Sequence, residues 1–252
     1  MKMYQAITIF PRLVEALTQF GITKKAFDKG LYNLKCWDLR IFSARPHGRV
    51  DDRPYGGGPG MVMQFEPLER AIDEAKRQEK ISGLARSKVI HVTPQGRTLN
   101  NLILKELEKE DNLIFLAGRY EGIDERLIES RVDEEISVGD YVVSGGELPV
   151  MMIIDSLVRR IPGAVGNGQS VECESFENGL LDYPHYTRPE KLENKAVPSE
   201  LLSGNHRIIE RWRMREALGR TWQRRPDLFE KIKLSNEEKN LLCEYKSKKG
   251  VE

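Results

Sequence analysis

Three glycine-rich segments in the middle of the chain are the residues best suited to hold a small molecule. Each segment begins or follows a short apolar run that is typical of a β-strand. Glycine carries no Cβ, so its main-chain N–H and C=O groups can approach a ligand closely. Three strand ends that break into glycine therefore predict one small-molecule site built from loop backbone. The segments are Val92–Gly96, Leu116–Gly122 and Ile136–Pro149, in which Tyr141–Val143 is the predicted strand of the third.

A fourth glycine-rich segment, residues 51–61, lacks the features of known nucleotide loops. A phosphate-binding P-loop ends in Gly-Lys-Ser or Gly-Lys-Thr, whereas Gly60 is followed by Met-Val-Met. The first predicted strand is followed by Pro11 and not by a GxGxxG turn, which weakens a Rossmann dinucleotide site. A flexible loop and a functional lid are equally good interpretations of this segment.

Other common catalytic chemistries find little support. The three cysteines form no CxxC pair, so the sequence argues against a zinc site or a disulfide framework and favours a reducing compartment. The four histidines form no HExxH pattern. Ser144 precedes Gly-Gly and does not sit in a GxSxG nucleophile turn.

The C-terminal part of the chain carries a dense arginine cluster. Between Gly204 and Arg225 there are seven arginines against two acidic residues. Guanidinium groups bind phosphate through a fork of donors, and the nearby Trp212 and Trp222 could stack on bases. Composition alone leaves two interpretations equally open, an RNA-binding surface and a solvated helix whose apolar stripe packs on the first domain.

Bulk properties describe an ordinary globular chain. Its 252 residues are 31% charged and 39% hydrophobic, with a formal net charge of +1. The apolar run Leu148–Ile154 stops at Asp155 and is too short to span a bilayer. We expect a soluble, cytoplasmic protein.

The elements that must position these residues alternate between strands and helices up to about residue 160. This alternation predicts an α/β domain with a mainly parallel sheet. The predicted strands are Ile7–Phe10, Leu31–Trp37, Val89–Val92 and Leu113–Leu116, and the predicted helices are Pro11–Phe20, Lys24–Lys29, Pro67–Lys80, Leu99–Lys109 and Leu148–Ile161.

The pattern changes after this region. We expect an α/β domain over 1–161, a linker over 162–179 and a helical domain over 180–252. The linker is rich in glycine and polar residues that have little to bury, so residues 165–175 are expected to be mobile in the free protein.

Six segments together resemble one family, the bacterial tRNA (guanine37-N1)-methyltransferases, TrmD, of the SPOUT class. The resemblance runs from about residue 4 to residue 245, in order and with compatible spacing. The segments are DDRPYGGGPGM (51–61), TPQG (93–96), GRYEGIDER (118–126), VGDYVVSGGELP (138–149), GLLDYPHYTRPE (179–190) and GRTWQRRPDL (219–228).

The resemblance implies a fold that periodicity does not show, an α/β domain with a deep trefoil knot in its C-terminal half. It also implies that S-adenosylmethionine binds in the knot and that the enzyme is a homodimer whose active site is completed by the partner subunit. The helical domain would grip the tRNA anticodon stem-loop. The implied cofactor contacts are His91, Val92, Thr93, Pro94, Gly118, Tyr120, Val138, Gly139, Tyr141, Val143, Gly145, Gly146 and Pro149.

The implied reaction moves a methyl group to N1 of the guanine that lies 3′ to the anticodon. A base must remove the N1 proton, and an arginine would stabilise the negative charge that builds on O6. By resemblance these are Glu174 and Arg159, and Glu121 is the carboxylate of the GRYEG segment. The family has an aspartate where this chain has Glu174, so Asp182 is the fallback base.

Candidate RNA contacts come from the C-terminal region. They are Arg207, Arg211, Arg215, Arg220, His185 and Arg188. Magnesium is suggested by the family alone, because no residue cluster marks a site. Two other functions stay open, the same fold acting on ribosomal RNA and an RNA-binding protein that lost activity through the change to Glu174.

Overall fold

The computed structural model of the chain describes residues 1–81, 83, 87–166 and 174–250. Its internal contacts divide the chain into two units, Met1–Gly168 and Gln169–Glu252. The stretch predicted to be mobile, 165–175, falls mostly on residues outside this description. In the described part of the chain, no helix combines the length and the apolar character needed to cross a membrane.

A five-stranded parallel sheet organises the first unit, and from one edge to the other its strands are Tyr32–Asp38, Lys2–Thr8, Asn112–Ala117, Lys88–Thr98 and Glu134–Ser137. The predicted α/β class with a parallel sheet is therefore confirmed. A short antiparallel pair, β3 and β4, flanks the glycine-rich segment 51–61. The strands are β1 (Lys2–Thr8), β2 (Tyr32–Asp38), β3 (Asp51–Asp52), β4 (Val62–Met63), β5 (Lys88–Thr98), β6 (Asn112–Ala117) and β7 (Glu134–Ser137).

Helices cover both faces of this sheet, and each face buries its own apolar cluster. The central strand β6 shows why, since its side chains alternate between the two faces. Leu113 and Phe115 join the cluster that includes α6, whereas Ile114 and Leu116 join the cluster that includes α3. The helices are α1 (Pro11–Glu15), α2 (Gly21–Asp28), α3 (Phe65–Ile81), α4 (Asn101–Leu107), α5 (Glu125–Arg131) and α6 (Glu147–Val158).

Two local expectations were wrong. Tyr141–Val143 is not a strand. The neighbouring strand is β7, at Glu134–Ser137, where the backbone pairs with β5. The helix expected over Pro11–Phe20 is α1 followed by a single 3₁₀ turn at Ala16–Thr18. The next helix then starts at Gly21, after an extended Phe20.

The second unit contains several helices and also a short hairpin, so the expectation of an all-helical C-terminal domain was wrong. The side chain of Asn205 caps its longest helix by accepting from the amides of Arg207 and Ile208. A Cβ on Gly219 would lie 2.2 Å from the ring of Tyr245, so this glycine lets two helices approach closely. The elements are β8 (Lys191–Leu192), β9 (Lys195–Ala196), α7 (Ser199–Leu202), α8 (His206–Arg224), α9 (Pro226–Phe229) and α10 (Asn236–Lys249).

Candidate active site

A cavity of about 430 Å³ is lined by the irregular middle of β5 and by the loops that follow β6 and β7. Ligands of open α/β sheets bind outside the carboxyl ends of the strands, which is where this cavity lies. All thirteen residues that the sequence suggested for the cofactor line it. The three glycine-containing segments therefore meet at one cavity, although the third follows β7 and not the strand expected at Tyr141–Val143.

The first wall of the cavity is an irregular stretch of β5. The register between β5 and β7 shifts between Val92 and Arg97, both of which pair with Ile136. Four residues bulge out between them and carry Thr93 and Pro94 to the cavity. Gly96 makes this possible, because a Cβ there would lie 2.3 Å from the backbone nitrogen of Ile136.

The second wall is the loop after β6, residues 118–122, and it is tied to the glycine-rich segment 51–61. The Glu121 amide donates to the Met61 carbonyl over 2.9 Å, and the Met63 amide donates to the Gly122 carbonyl over 2.9 Å. A Cβ on Gly60 would lie 2.3 Å from Oε1 of Glu121, so this glycine leaves room for the carboxylate. The segment 51–61 therefore supports the Glu121 loop through its backbone.

The third wall is the loop after β7, residues 138–146. Ser137 shapes its start, since its Oγ bonds both the amide and the carbonyl of Gly139 at 3.1 Å. At its end the Gly146 amide donates to the Gly118 carbonyl over 2.8 Å. A Cβ on Gly146 would lie 2.8 Å from both Ala117 Cα and Gly118 N, so only glycine fits. The contact joins the second and third walls.

Charge in the cavity is mainly negative. Glu121, Glu125 and Glu135 line it, and the guanidinium of Arg119 is paired with the buried carboxylate of Glu147 at 2.9 Å. His91 is 5% exposed, and its Nδ1 lies 3.0 Å from Oε1 of Glu135. Burial lowers the pKa of His91, and the hydrogen bond and charge of Glu135 oppose that change. A neutral His91 among carboxylates suits a ligand that carries positive charge.

Within the first unit, the structure does not bring the candidate catalytic residues Glu121 and Arg159 together. Glu121 lines the cavity. Arg159 directly follows α6, whose N-terminal end borders the cavity, and twelve helical residues separate the two ends. At 1.5 Å per residue this is about 18 Å. Glu174 lies in the second unit.

The local structure around Glu174 involves the alternative base. The Ser175 hydroxyl accepts from the amide of Asp182 over 2.9 Å. The two carboxylate oxygens of Asp182 are engaged, one by the Tyr183 amide at 2.7 Å and the other by Nε2 of His185 at 2.8 Å. Asp182 is therefore tied to its own turn and to His185.

The candidate RNA contacts differ in exposure. Arg207, Arg211, His185 and Arg188 are exposed, and Arg220 is half-buried. Arg215 instead is 7% exposed, and its guanidinium donates to Glu216 at 2.9 Å and 3.1 Å. Glu200 lies 3.5 Å away on its other side. These carboxylates hold Arg215 inside the helical unit, away from a phosphate.

Sequence reasoning missed several residues that line the cavity. They include Gln95, Arg119, Glu125, Glu135 and Ser144. Most lie inside the quoted segments, so position within those segments was an available signal, whereas their side-chain directions were not. Among the described residues, no group of three or more His, Cys, Asp or Glu side chains is placed to hold a metal ion.

The fold and the cavity define an α/β protein whose ligand site is made from loop backbone at the ends of three parallel strands. Comparison with known proteins then gives the family. The family model described as tRNA (Guanine-1)-methyltransferase TrmD matches residues 1–231. The chain belongs to this family, and the resemblance predicted from its sequence segments is confirmed.

Individual relatives cover nearly the whole chain. A tRNA (guanine-N(1)-)-methyltransferase of Chromobacterium violaceum is 51% identical over 246 residues, 98% of this chain and 96% of the relative. The protein of the same name from Stutzerimonas stutzeri is 54% identical over 241 residues, 96% and 95% of the two chains. The one from Pseudomonas aeruginosa is 53% identical over 239 residues, 95% and 94%.

Proposed function

We propose that this chain transfers a methyl group from S-adenosylmethionine to N1 of guanine 37 in tRNA, 3′ to the anticodon. The observation that carries this proposal is the single cavity lined by all thirteen residues expected to contact the cofactor. The names of its relatives specify the base, the atom and the class of RNA. They favour tRNA over the ribosomal RNA alternative. A tRNA substrate would place the chain in the cytoplasm.

The charge of the lining and its exposed main-chain groups support S-adenosylmethionine as the ligand. Gly146 leaves no room for a side chain, and Gly118 lies beside it, so main-chain groups face the cavity. The carboxylates of Glu121, Glu125 and Glu135 suit a cationic ligand. We assign the adenosine to the three loop walls and the positively charged end to the Glu121 side. When bound, S-adenosylmethionine supplies an electrophilic methyl group on its sulfonium.

The remaining chemistry belongs to side chains of the protein. Neutral guanine carries a proton on N1, and the Glu174 carboxylate removes it so that the nitrogen lone pair can attack. Arg159 donates hydrogen bonds to O6, where negative charge builds during deprotonation. The target base leaves the stack to enter the cavity, at a cost of a few kcal/mol that is smaller in a single-stranded loop.

A second copy of the chain would complete this site. Arg159 lies ten residues, roughly 15 Å, beyond Pro149, the α6 residue that lines the cavity. An arginine this far from its own cavity cannot bond O6 of a base held there. We therefore propose a two-fold homodimer in which Arg159 and Glu174 of one copy serve the cavity of the other.

The knot belongs to the same proposal. Strand β7 pairs with β5, yet the chain that follows β7 returns to the end of β6, where Gly146 bonds Gly118. The segment 138–146 therefore passes across the end of β5. This path supports the deep trefoil knot of the SPOUT class in the C-terminal half of the α/β domain.

We keep the domain boundaries 1–161, 162–179 and 180–252 as part of the proposal, with the helical domain binding the anticodon stem-loop. Exposed Arg207, Arg211, His185 and Arg188, with half-buried Arg220, are the proposed RNA contacts. We assign Arg215 to packing, because Glu200 and Glu216 hold it. Magnesium is suggested by the family alone, and no residues are assigned to it.

Single substitutions test the chemistry. Arg159→Ala and Glu174→Ala should each abolish methyl transfer while S-adenosylmethionine still binds with the wild-type Kd. Asp182→Asn should keep measurable turnover, since Asp182 is not the base. If Glu174→Ala retained the wild-type rate, the assignment of the base would be wrong.

Mixed dimers test whether the site is shared. Co-expressed Glu121→Ala and Arg159→Ala chains would form mixed dimers in which one site has lost both groups and the other has lost neither. Statistical pairing should then restore about a quarter of the wild-type rate. If Glu121 and Arg159 acted within one chain, every site would lack one group and the mixture would stay inactive.

A further inference from the structure

Arg119 connects two of the three walls of the cavity. It lies in the 118–122 loop, and its Nε donates to Oε2 of Glu147 over 2.9 Å. One of its terminal nitrogens donates to the carbonyl of Ser144 over 3.1 Å. The same side chain therefore bonds the start of α6 and the end of the 138–146 loop.

Glu147 is fixed from its other side by β1. It is fully buried, and its Oε1 accepts from the hydroxyl of Thr8 over 2.7 Å. Thr8 in turn accepts from the amide of Phe10 over 2.9 Å, and the guanidinium of Arg119 lies 4.5 Å from the centre of the Phe10 ring. These contacts leave the buried carboxylate with a partner on each oxygen.

The backbone of the third wall is shaped to admit this arginine. A Cβ on Gly145 would lie 2.2 Å from Nε of Arg119, so the guanidinium occupies the space that any side chain would need. Glu147 itself does not line the cavity. Its carboxylate can influence a bound ligand only through the loops that Arg119 joins.

We propose that Glu147, acting through Arg119, is a positioning residue that holds the 118–122 and 138–146 loops at the spacing the cofactor requires. A paired buried carboxylate resists movement because displacing either partner leaves an uncompensated charge in the protein interior. The cofactor half of this inference rests on the proposed function. The spacing of the loops does not depend on the proposed function, and it can be measured without a ligand.

Amide hydrogen exchange of the free protein tests the spacing. The Gly146 amide bonds the Gly118 carbonyl over 2.8 Å, so it reports whether the loops stay together. Glu147→Gln should raise its exchange rate about tenfold, because a neutral amide holds the guanidinium less strongly. Glu108→Gln is the matched control, since Glu108 pairs with the partly buried Arg160 at 3.1 Å, away from the cavity. It should leave Gly146 protected.

Calorimetric titration with S-adenosylmethionine tests the consequence. Glu147→Gln should raise the Kd about tenfold, whereas Glu108→Gln should not change it. Arg119→Lys separates positioning from charge balance. The lysine keeps a positive charge beside Glu147, but its single nitrogen cannot span Glu147 and Ser144 as the guanidinium does. The melting temperature should therefore stay near the wild-type value while the Kd for S-adenosylmethionine rises.

Thr8→Val gives a second route if Glu147→Gln does not fold. It removes one hydrogen bond to Glu147 and should raise both the Gly146 exchange rate and the Kd by a smaller factor. Wild-type exchange and Kd in both variants, with only a lower melting temperature, would reduce the ion pair to a stabilising contact and overturn the proposal. If the wild-type chain itself did not bind S-adenosylmethionine, the proposed function would fail, and the exchange measurement would still decide the role of Glu147.

Discussion

Replacing Gly146 with alanine is the substitution whose effect the structure specifies best. The new Cβ would lie 2.8 Å from both Ala117 Cα and Gly118 N, whereas ordinary contacts begin at 3.4 Å. Both opposing atoms are main chain at the end of a central strand, so they cannot rotate away. The third wall of the cavity must therefore move outward by about 0.6 Å, which stretches the 2.8 Å bond between Gly146 and Gly118.

The magnitude follows from two costs. Overpacking at a rigid contact costs about 1–3 kcal/mol, and a weakened backbone hydrogen bond adds about 1 kcal/mol. Together the two costs are about 2–4 kcal/mol. For a domain of this size each kcal/mol lowers the melting temperature by about 2–4 °C, so Gly146→Ala should melt about 4–16 °C lower. Because the displaced loop lines the cavity, we expect the Kd for S-adenosylmethionine to rise at least about tenfold.

Calorimetric titration and thermal unfolding measure the two effects. Gly166→Ala is the matched control, because a Cβ there meets nothing within 4 Å and Gly166 has no positive φ. It should match the wild type in Kd. A Gly146→Ala variant that melted lower but bound S-adenosylmethionine with the wild-type Kd would refute the claim that this backbone contact shapes the cofactor site.

Three further predictions concern other parts of the chain. Burial lowers the pKa of His91, so the unfolded chain binds its proton more tightly. The free energy of unfolding should then decrease as the pH falls below about 6.5, and His91→Gln should remove part of this decrease in denaturant titrations. Arg207→Gln should weaken binding of an anticodon stem-loop RNA and make that binding less sensitive to salt. Arg215→Gln should instead lower the melting temperature. Weaker RNA binding by Arg215→Gln, with a lower melting temperature for Arg207→Gln, would contradict both assignments. Ser235→Ala removes a capping box at the start of α10 and should lower the free energy of unfolding of the helical unit by about 1 kcal/mol. Circular dichroism measures this transition, and an unchanged transition would contradict the prediction.

Local patterns predicted the parts of the site that depend on backbone. Apolar runs followed by glycine marked the end of β6 and the irregular stretch of β5, and both line the cavity. The strand expected at Tyr141–Val143 was wrong because its β-branched residues favour a strand locally, whereas the backbone pairs with β5 earlier, at β7. The actual strand, β7, begins with Glu134 and Glu135, and both side chains are engaged by residues far away in the sequence.

Side-chain partners were less accessible to sequence reasoning. Arg215 sits in an arginine-rich stretch, but the fold buries it against Glu200 and Glu216. Glu147 and Arg119 stand in two separate glycine-rich segments, and nothing in their spacing announces that they form one ion pair. The position of Arg159, in contrast, could be predicted from the sequence. Its separation from the cavity follows from the length of α6, which the sequence did predict.

Methyl transfer to defined RNA tests the central claim most directly. Labelled S-adenosylmethionine would be offered with an unmodified tRNA transcript that carries guanine 37, and in parallel with the same transcript carrying adenine at that position. We predict label on the first transcript alone, recovered as N1-methylguanosine after digestion. Equal labelling of both transcripts, or no labelling of either by a protein that binds the cofactor, would contradict the proposed function.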